Sequence, residues 1–188
     1  MKELEERILK DGIILDGDIL KVGSFLNQQI DTKLLKNMAK ETKRLFPEEV
    51  TKVLTIEASG LPFATAIGME FDCPVVFAKK SKTSNLSGEV VTASVDSYTH
   101  GTTNTIYITK DYITKDDKVL IADDFLAKGN ALEGLIEIVK KCEGSIVGAV
   151  IEIEKVYQEG GDRIRKQGYR VESLASILEM KENKIIFK

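Results

Sequence analysis

Two adjacent aspartates, Asp123 and Asp124, end the apolar run Val119–Ala122, and the loop "FLAKGNA" (Phe125–Ala131) leads from them into an amphipathic helix. In an open α/β sheet, ligands bind beyond the carboxyl ends of the strands. Carboxylates placed there accept hydrogen bonds from vicinal hydroxyls, such as those of a ribose. The helix that follows starts with unpaired backbone N–H groups and the positive end of its dipole, which suits a phosphate. Gly129 permits a turn that brings the backbone close to that anion. A sugar and its 5′-phosphate would then lie side by side. The competing reading is that the acids cap a turn and Gly129 bends it. The pair alone leaves both readings open.

Such a loop needs a sheet to position it. The segments "KVLTIEA", "CPVVFAKK", "KVLIADD", "SIVGAVIEIEK" and "YRVESLASIL" read as five strands, with helical patterns between most of them. That alternation predicts an α/β fold built on a parallel sheet covered on both faces. Pro62 suits the first turn of a helix over about residues 61–71. Upstream, residues 2–11 read as a short helix stopped by Gly12. Leu34, Leu35, Met38, Ala39, Leu45 and Phe46 mark a second helix that Pro47 ends. The exception is the stretch 79–116. "VVTASVDSYT" and "TNTIYITKDYI" alternate apolar and polar residues around "HGTTN", the pattern of an antiparallel hairpin. "KKSKTSNLSGE", just before it, carries little apolar content and reads as a mobile loop of the functional kind.

Composition removes several functions. The chain has 188 residues and a net charge of −3, with both signs interspersed, so neither a nucleic-acid nor a membrane surface is expected. No apolar stretch is long enough to span a bilayer, and the charged N-terminus does not read as a leader. His100 is the sole histidine, which excludes a histidine-based zinc site and a Ser-His-Asp triad within one chain. Cys73 and Cys142 lie in apolar contexts and read as two buried thiols of a reducing, cytoplasmic protein.

The run of four hydrophobic residues, two acids and a glycine loop over Val119–Ala131 resembles the phosphoribosyl-pyrophosphate motif of the type I phosphoribosyltransferases. That motif usually ends Thr-Gly-x-Thr; this chain has Lys128-Gly129-Asn130-Ala131, which leaves the cradle to backbone amides, with Asn130 as a side-chain donor. "IEASGLP" (Ile56–Pro62) looks like the family's pyrophosphate loop, and "FAKKSK" (Phe77–Lys82) looks like the start of its flexible catalytic loop, with Tyr98 at the end. "GYRVESLASI" is similar to the last core strand of the adenine-type branch. The hypoxanthine-guanine branch carries a carboxylate near the purine where this chain has Ala127. "DGIILDGDILKVGSFLNQQID", "FLAKGNA" and "EIEKVYQEGGD" together resemble the xanthine-using bacterial members over almost the whole chain.

The resemblance implies a single domain over residues 1–188, with an N-terminal purine-binding hood over 1–50 and a core over 51–180 that carries the loop and hairpin. It implies transfer of a phosphoribosyl group to xanthine, giving xanthosine 5′-monophosphate and pyrophosphate through a C1′ of oxocarbenium character. Asp123, Asp124 and Lys79 take the catalytic positions, and Ala58, Ser59, Gly60 and Ala127–Ala131 (including Lys128, Gly129 and Asn130) take those around phosphoribosyl pyrophosphate. Leu20, Asn27, Phe125 and Lys155 take those around the purine. The Lys155 ammonium can donate to the C2 oxygen that distinguishes xanthine from hypoxanthine; adenine would leave it without an acceptor. Mg²⁺ is implied, held mainly by pyrophosphate and ribose oxygens with no certain protein ligand, as its strong hydration favours. A homodimer is implied as well, because relatives take the loop lysine from the neighbouring subunit. Each residue also has a plainer reading: Lys155 as a solvated strand end, Asn27 as a helix cap, Leu20 and Phe125 as core, Lys79 and Lys80 as loop charges. A guanine/hypoxanthine or adenine preference, and a non-catalytic purine-responsive regulator of the same fold, remain as alternatives.

Overall fold

The computed structural model describes residues 1–16, 18–82, 88–97, 102–181 and 184–188. Helix α1 (Lys2–Asp11) buries Leu4 and Ile8 and stops at Gly12, as the pattern predicts. A short antiparallel hairpin follows, β1 (Ile13–Leu15) and β2 (Ile19–Lys21), then one π-helical turn over Gly23–Asn27. Helix α2 (Thr32–Leu45) starts at Asp31, whose carboxylate accepts from the Lys33 and Leu34 amides at 3.1 Å each. That satisfies two donors the helix cannot use itself.

The core then alternates. Strand β3 (Lys52–Ile56) leads to α3 (Leu61–Phe71), with Pro62 in its first turn, and to β4 (Val75–Ala78). The hairpin β5 (Val90–Ser97) and β6 (Thr102–Thr109) comes next, then β7 (Lys118–Leu126), α4 (Asn130–Lys141) and β8 (Ser145–Lys155). Helix α5 (Gly160–Lys166), β9 (Val171–Lys181) and β10 (Lys184–Phe187) complete the chain. The six-stranded sheet runs β10-β9-β8-β7-β3-β4. The five strands expected from the sequence are parallel, and β10 adds an antiparallel edge.

Helices α1, α2 and α3 cover one face through Leu4, Met38, Phe63 and Ile67 against Leu120 and Val150. On the other face α4 and the β5–β6 hairpin pack Leu135, Ile138 and Ile106 against Leu54, Ile121 and Ile151. The central strands are apolar on both sides because both sides are covered: Leu120, Ile121, Val150 and Ile151 are all 0 % exposed. Burial of each such side chain contributes about 1.5–3 kcal/mol.

Two features bear directly on the loop after β7. Strand β3 continues through α3 to β4 on one side, whereas its other neighbour is β7, so the order reverses between β3 and β7 and a crevice opens there. Further, β3 pairs with β7 only as far as Leu54 opposite Ile121, while β8 pairs with β7 through Leu126 opposite Glu154. Asp123 and Asp124 therefore do not end their strand, as the sequence suggested. They lie where β7 has outrun β3 but is still held by β8.

Candidate active site

Asp123 is 4 % exposed, and its Oδ1 accepts from the Asp124 amide at 3.0 Å. Burial pushes the Asp123 carboxyl well above the usual carboxylate range; the neighbouring Asp124 adds to the rise, and the Lys80 charge opposes it. Asp124 is half-buried and accepts from Asn27 Nδ2 at 3.4 Å, a contact across most of the sequence. The hood thus reaches the acidic pair directly. The first carboxylate accepts from the backbone of its own strand, whereas the second faces Asn27 of the N-terminal segment.

The turn after β3 lies against the first acid. A Cβ at Gly60 would come 2.2 Å from Thr55 Oγ1 and 3.2 Å from Asp123 Oδ1, so only glycine lets this loop approach so closely. Glu57–Ala58 is a cis peptide, and Ala58 and Ser59 are exposed at the crevice. Glu57 is tied down by the Lys80 amide, which donates to its Oε1 at 2.7 Å. Of the three positions expected around the pyrophosphate, Gly60 thus borders Asp123 directly, and Ala58 and Ser59 precede it in the same exposed turn.

On the far side of the pair, Ala127–Ala131 makes the transition into α4. Gly129 is the N-cap at φ 85°, a left-handed conformation that glycine adopts without cost, and no side chain caps the helix. The N-terminus of this twelve-residue helix brings the positive end of its dipole to the loop, which suits an anion, and Lys128 is exposed beside it. Asn130 opens the helix and Ala131 follows it, the place where the family's second threonine would stand.

At the other end of the site, Lys155 ends β8 with its Nζ 5.9 Å from the Phe125 ring centroid. The same ammonium donates to the Asp18 carbonyl of the β1–β2 turn. Burial pulls the Lys155 ammonium below its ordinary value, and the Asp18 charge opposes that shift. Phe125 is half-buried, and Leu20, 6 % exposed, pairs with Ile14 and packs into the α1–α2 core beneath the hairpin. The structure thus brings Asn27, Phe125, Lys155 and the hood hairpin around one end of the acidic pair. Leu20 lies in the core, its plainer reading.

The two loop lysines part company. Lys79 closes a backbone bridge with Tyr107, at 2.9 Å in both directions, which ties the β5–β6 hairpin to the sheet edge. It lines a groove of about 260 Å³ along β4 with Phe77, Tyr107 and Tyr112, and none of the groove's lining residues belongs to the acidic crevice. Lys80 is the lysine whose charge bears on Asp123. Residues 83–87 of the expected mobile loop, and Tyr98, lie outside the described residues.

Sequence reasoning passed over three groups. Glu152, 3 % exposed on β8, has its carboxyl raised well above the usual range by burial and by Asp124 and Asp123. Thr55 Oγ1, against Gly60, and Tyr157 Oη, just beyond Lys155, are buried without a hydrogen-bond partner among the described residues. The signal for Glu152 was present: two glutamates interrupt the otherwise apolar strand "SIVGAVIEIEK". Cys142 is buried as expected, but Cys73 is only partly so, because it lies in the turn between α3 and β4; both are free thiols.

The comparisons with known proteins agree with this geometry. The phosphoribosyl transferase domain family matches residues 21–185. A Clostridium novyi protein named xanthine phosphoribosyltransferase is 49 % identical over the whole of both chains. A protein of that name from Finegoldia magna is 44 % identical, again over the whole of both. The crystal structure of adenine phosphoribosyltransferase from Rhodothermus marinus superposes with a TM-score of 0.75 at 22 % identity, covering 94 % of this chain and 100 % of the other, and shares the fold. With the crevice, the acidic pair and the glycine loop in these positions, the chain belongs to the phosphoribosyl transferase domain family.

Proposed function

We infer that the protein transfers the phosphoribosyl group of phosphoribosyl pyrophosphate to xanthine, a purine-salvage reaction. The carrying observation is the placement of the Lys155 ammonium over Phe125, the residue after the acidic pair, and against the β1–β2 turn. A cation there suits the C2 and C6 oxygens of an acidic purine and gives adenine no acceptor at C2. Full-length relatives of the same name support the reading.

In this mechanism the amides of Lys128–Ala131 and the α4 N-terminus hold the 5′-phosphate. Asp123 and Asp124 take the ribose hydroxyls, and the Ala58–Gly60 turn donates to the pyrophosphate. The bond between C1′ and the pyrophosphate oxygen breaks, pyrophosphate leaves with the electron pair, and N9 of the purine bonds to C1′ as the base gives up its N–H proton to solvent. Orientation and neutralisation of the leaving group carry the catalysis. Among the described residues no cluster of three carboxylates, imidazoles or thiolates could hold a metal. The carboxylate oxygens of Asp123 and Asp124 are hard donors of the kind Mg²⁺ accepts, so these residues would hold a Mg²⁺ carried in on the substrate. The chemistry such an ion would supply is neutralisation of the charge on the pyrophosphate. Lys79, turned toward the β4 edge, is assigned to the site of a second copy, which makes the active form a homodimer. No described helix is long and apolar enough to cross a membrane; with two free thiols, the cytoplasm is the proposed location.

The test is kcat/KM for xanthine, hypoxanthine, guanine and adenine at saturating phosphoribosyl pyrophosphate, in wild type and in Lys155→Ala. A charge-assisted hydrogen bond is worth roughly 1.5–3 kcal/mol, so xanthine should lose about ten- to a hundredfold. Hypoxanthine, without the C2 oxygen, should lose much less. Equal losses for both purines would remove the chemical basis of the xanthine assignment.

A further inference from the structure

Glu154 is 1 % exposed, yet it is a carboxylate in the heart of the β8–β9 ladder. Arg165 of α5 grips it with two bonds, Nη1 to Oε1 at 2.8 Å and Nη2 to Oε2 at 2.7 Å, and Ser173 Oγ donates to Oε2 at 2.5 Å. The Arg165 Nε donates to the Val171 carbonyl at 3.1 Å. A carboxylate buried with its cation partner at the surface is a poor way to stabilise a core, since well-packed apolar residues serve as well or better. What the pair touches gives it a different use. A Cβ on Gly161 would fall 1.9 Å from Glu154 Oε1, so the carboxylate presses directly on the α5 backbone. One residue earlier, a Cβ on Gly160 would fall 2.3 Å from the Ala127 carbonyl oxygen and 2.6 Å from the Gly129 nitrogen. The Gly160 amide donates to that Ala127 carbonyl at 3.2 Å, and Arg163 Nη2 donates to the Lys128 carbonyl at 2.8 Å.

We propose that the Glu154–Arg165 pair and the Gly160–Gly161 turn it clamps are positioning elements for the phosphate loop Ala127–Ala131, setting the affinity for phosphoribosyl pyrophosphate without touching it; the proposal rests on the phosphate role given to that loop above. The geometry explains how. In a planar trans peptide the N–H points away from the C=O of the same unit. Holding the Ala127 and Lys128 carbonyls against α5 therefore turns the Lys128 and Gly129 amides to the opposite side of the loop, where the phosphate is expected. The clamp aims donors that an unsupported loop would leave to wander.

Steady-state kinetics of the full-length enzyme with xanthine and Mg²⁺–phosphoribosyl pyrophosphate, alongside thermal melts, test this in Gly160→Ala, Glu154→Gln and Arg165→Lys. Gly160→Ala should raise KM for phosphoribosyl pyrophosphate at least about tenfold, with KM for xanthine changed less than about twofold, because small misplacements of binding groups are costly. Glu154→Gln should show a smaller rise, and Arg165→Lys, which keeps the charge, one smaller still. Equal rises in both KM values, or a lowered Tm with both KM values unchanged, would make the pair merely structural and overturn the proposal. Should Gly160→Ala not fold, Arg163→Ala at the protein surface reads the same loop through the Lys128 carbonyl, and an unchanged KM there also overturns it. Calorimetric titration with ribose 5-phosphate separates the two readings. A wild type that binds it but makes no xanthosine 5′-monophosphate sinks the substrate assignment alone. Unaltered binding by Gly160→Ala sinks the clamp alone.

Discussion

The two ends of the site are built in different ways. At the phosphate end the loop after β7 is backed by α5, and α5 is backed by a buried, fully bonded carboxylate on β8. At the purine end the hood is a hairpin of three-residue strands whose Ile13, Leu15 and Ile19 are 55, 43 and 47 % exposed. Its described polar ties to the site are the Asp18 carbonyl on Lys155 and Asn27 on Asp124. A short two-stranded hairpin has little stability of its own. On the assignment proposed above, the phosphoribosyl group is held by the packed core, and the base is selected by an appendage that contacts the core through a few side chains. Selectivity can then change through the hood and Lys155 while the phosphate loop stays as it is.

Disabling the acid that the two ends share should produce the largest effect. Asp124→Asn removes a charge that accepts from sugar hydroxyls, and at roughly 1.5–3 kcal/mol for a charged hydrogen bond kcat/KM for phosphoribosyl pyrophosphate should fall about ten- to a hundredfold. Asp124 is half-buried and outside the main core, so the melting temperature should barely move. A folded Asp124→Asn enzyme with wild-type affinity would return the acids to the role of turn caps. Next in size is Asn27→Ala. Its 3.4 Å contact with Asp124 is long and weak, so a loss of about three- to tenfold in kcat/KM for xanthine is expected. The sharper measurement is the double-mutant cycle. Combined with Asp124→Asn, the Asn27 change should cost almost nothing more, since residues that act through one contact are not additive. Full additivity would mean that the hood and the acids work independently, and the comparison of the two ends would lose its meeting point.

Much of this was legible in the sequence, and for reasons that differ by region. The five parallel strands are buried on both faces, so they appear as nearly unbroken apolar runs. The β5–β6 hairpin is covered on one face, so it alternates. The phosphate loop was readable because glycine, paired acids and a helix start are tied to local backbone geometry. The β1–β2 hairpin, β10 and the true end of β7 were not. Three- and four-residue strands give no periodicity, and β7 extends past its acids only because β8 is long enough to keep pairing with it. The clamp behind the loop was hidden for another reason. Glu154, Gly160 and Arg165 reveal their role only when α5 folds back on Ala127, a contact between segments that local pattern does not encode.

The smallest effect concerns stability, and it bears on the acids from the neighbouring strand. Glu152 is almost wholly buried, and its carboxyl is pushed well above the usual 4.5, first by burial and then by Asp124 and Asp123. A folded-state value above the unfolded one means that the folded protein holds its proton longer as pH rises. Between pH 4.5 and the raised value the folded state binds more protons than the unfolded state, so stability falls as pH rises through that window. Above the raised value the penalty is complete and constant. Glu152→Gln keeps the shape and removes the titration. It should therefore leave Tm near that of wild type at pH 4.5 and below, and gain progressively as pH rises. A gain of about 2–4 °C near neutrality is the response of a protein of this size to roughly 1 kcal/mol. Thermal melts of both proteins at a series of pH values, without ligand, give the difference curve. A flat difference, or one that grows as pH falls, would mean that Glu152 is ionised and paired in the free protein. The burial of Glu152 near Asp123 and Asp124 would then not cost the free protein stability.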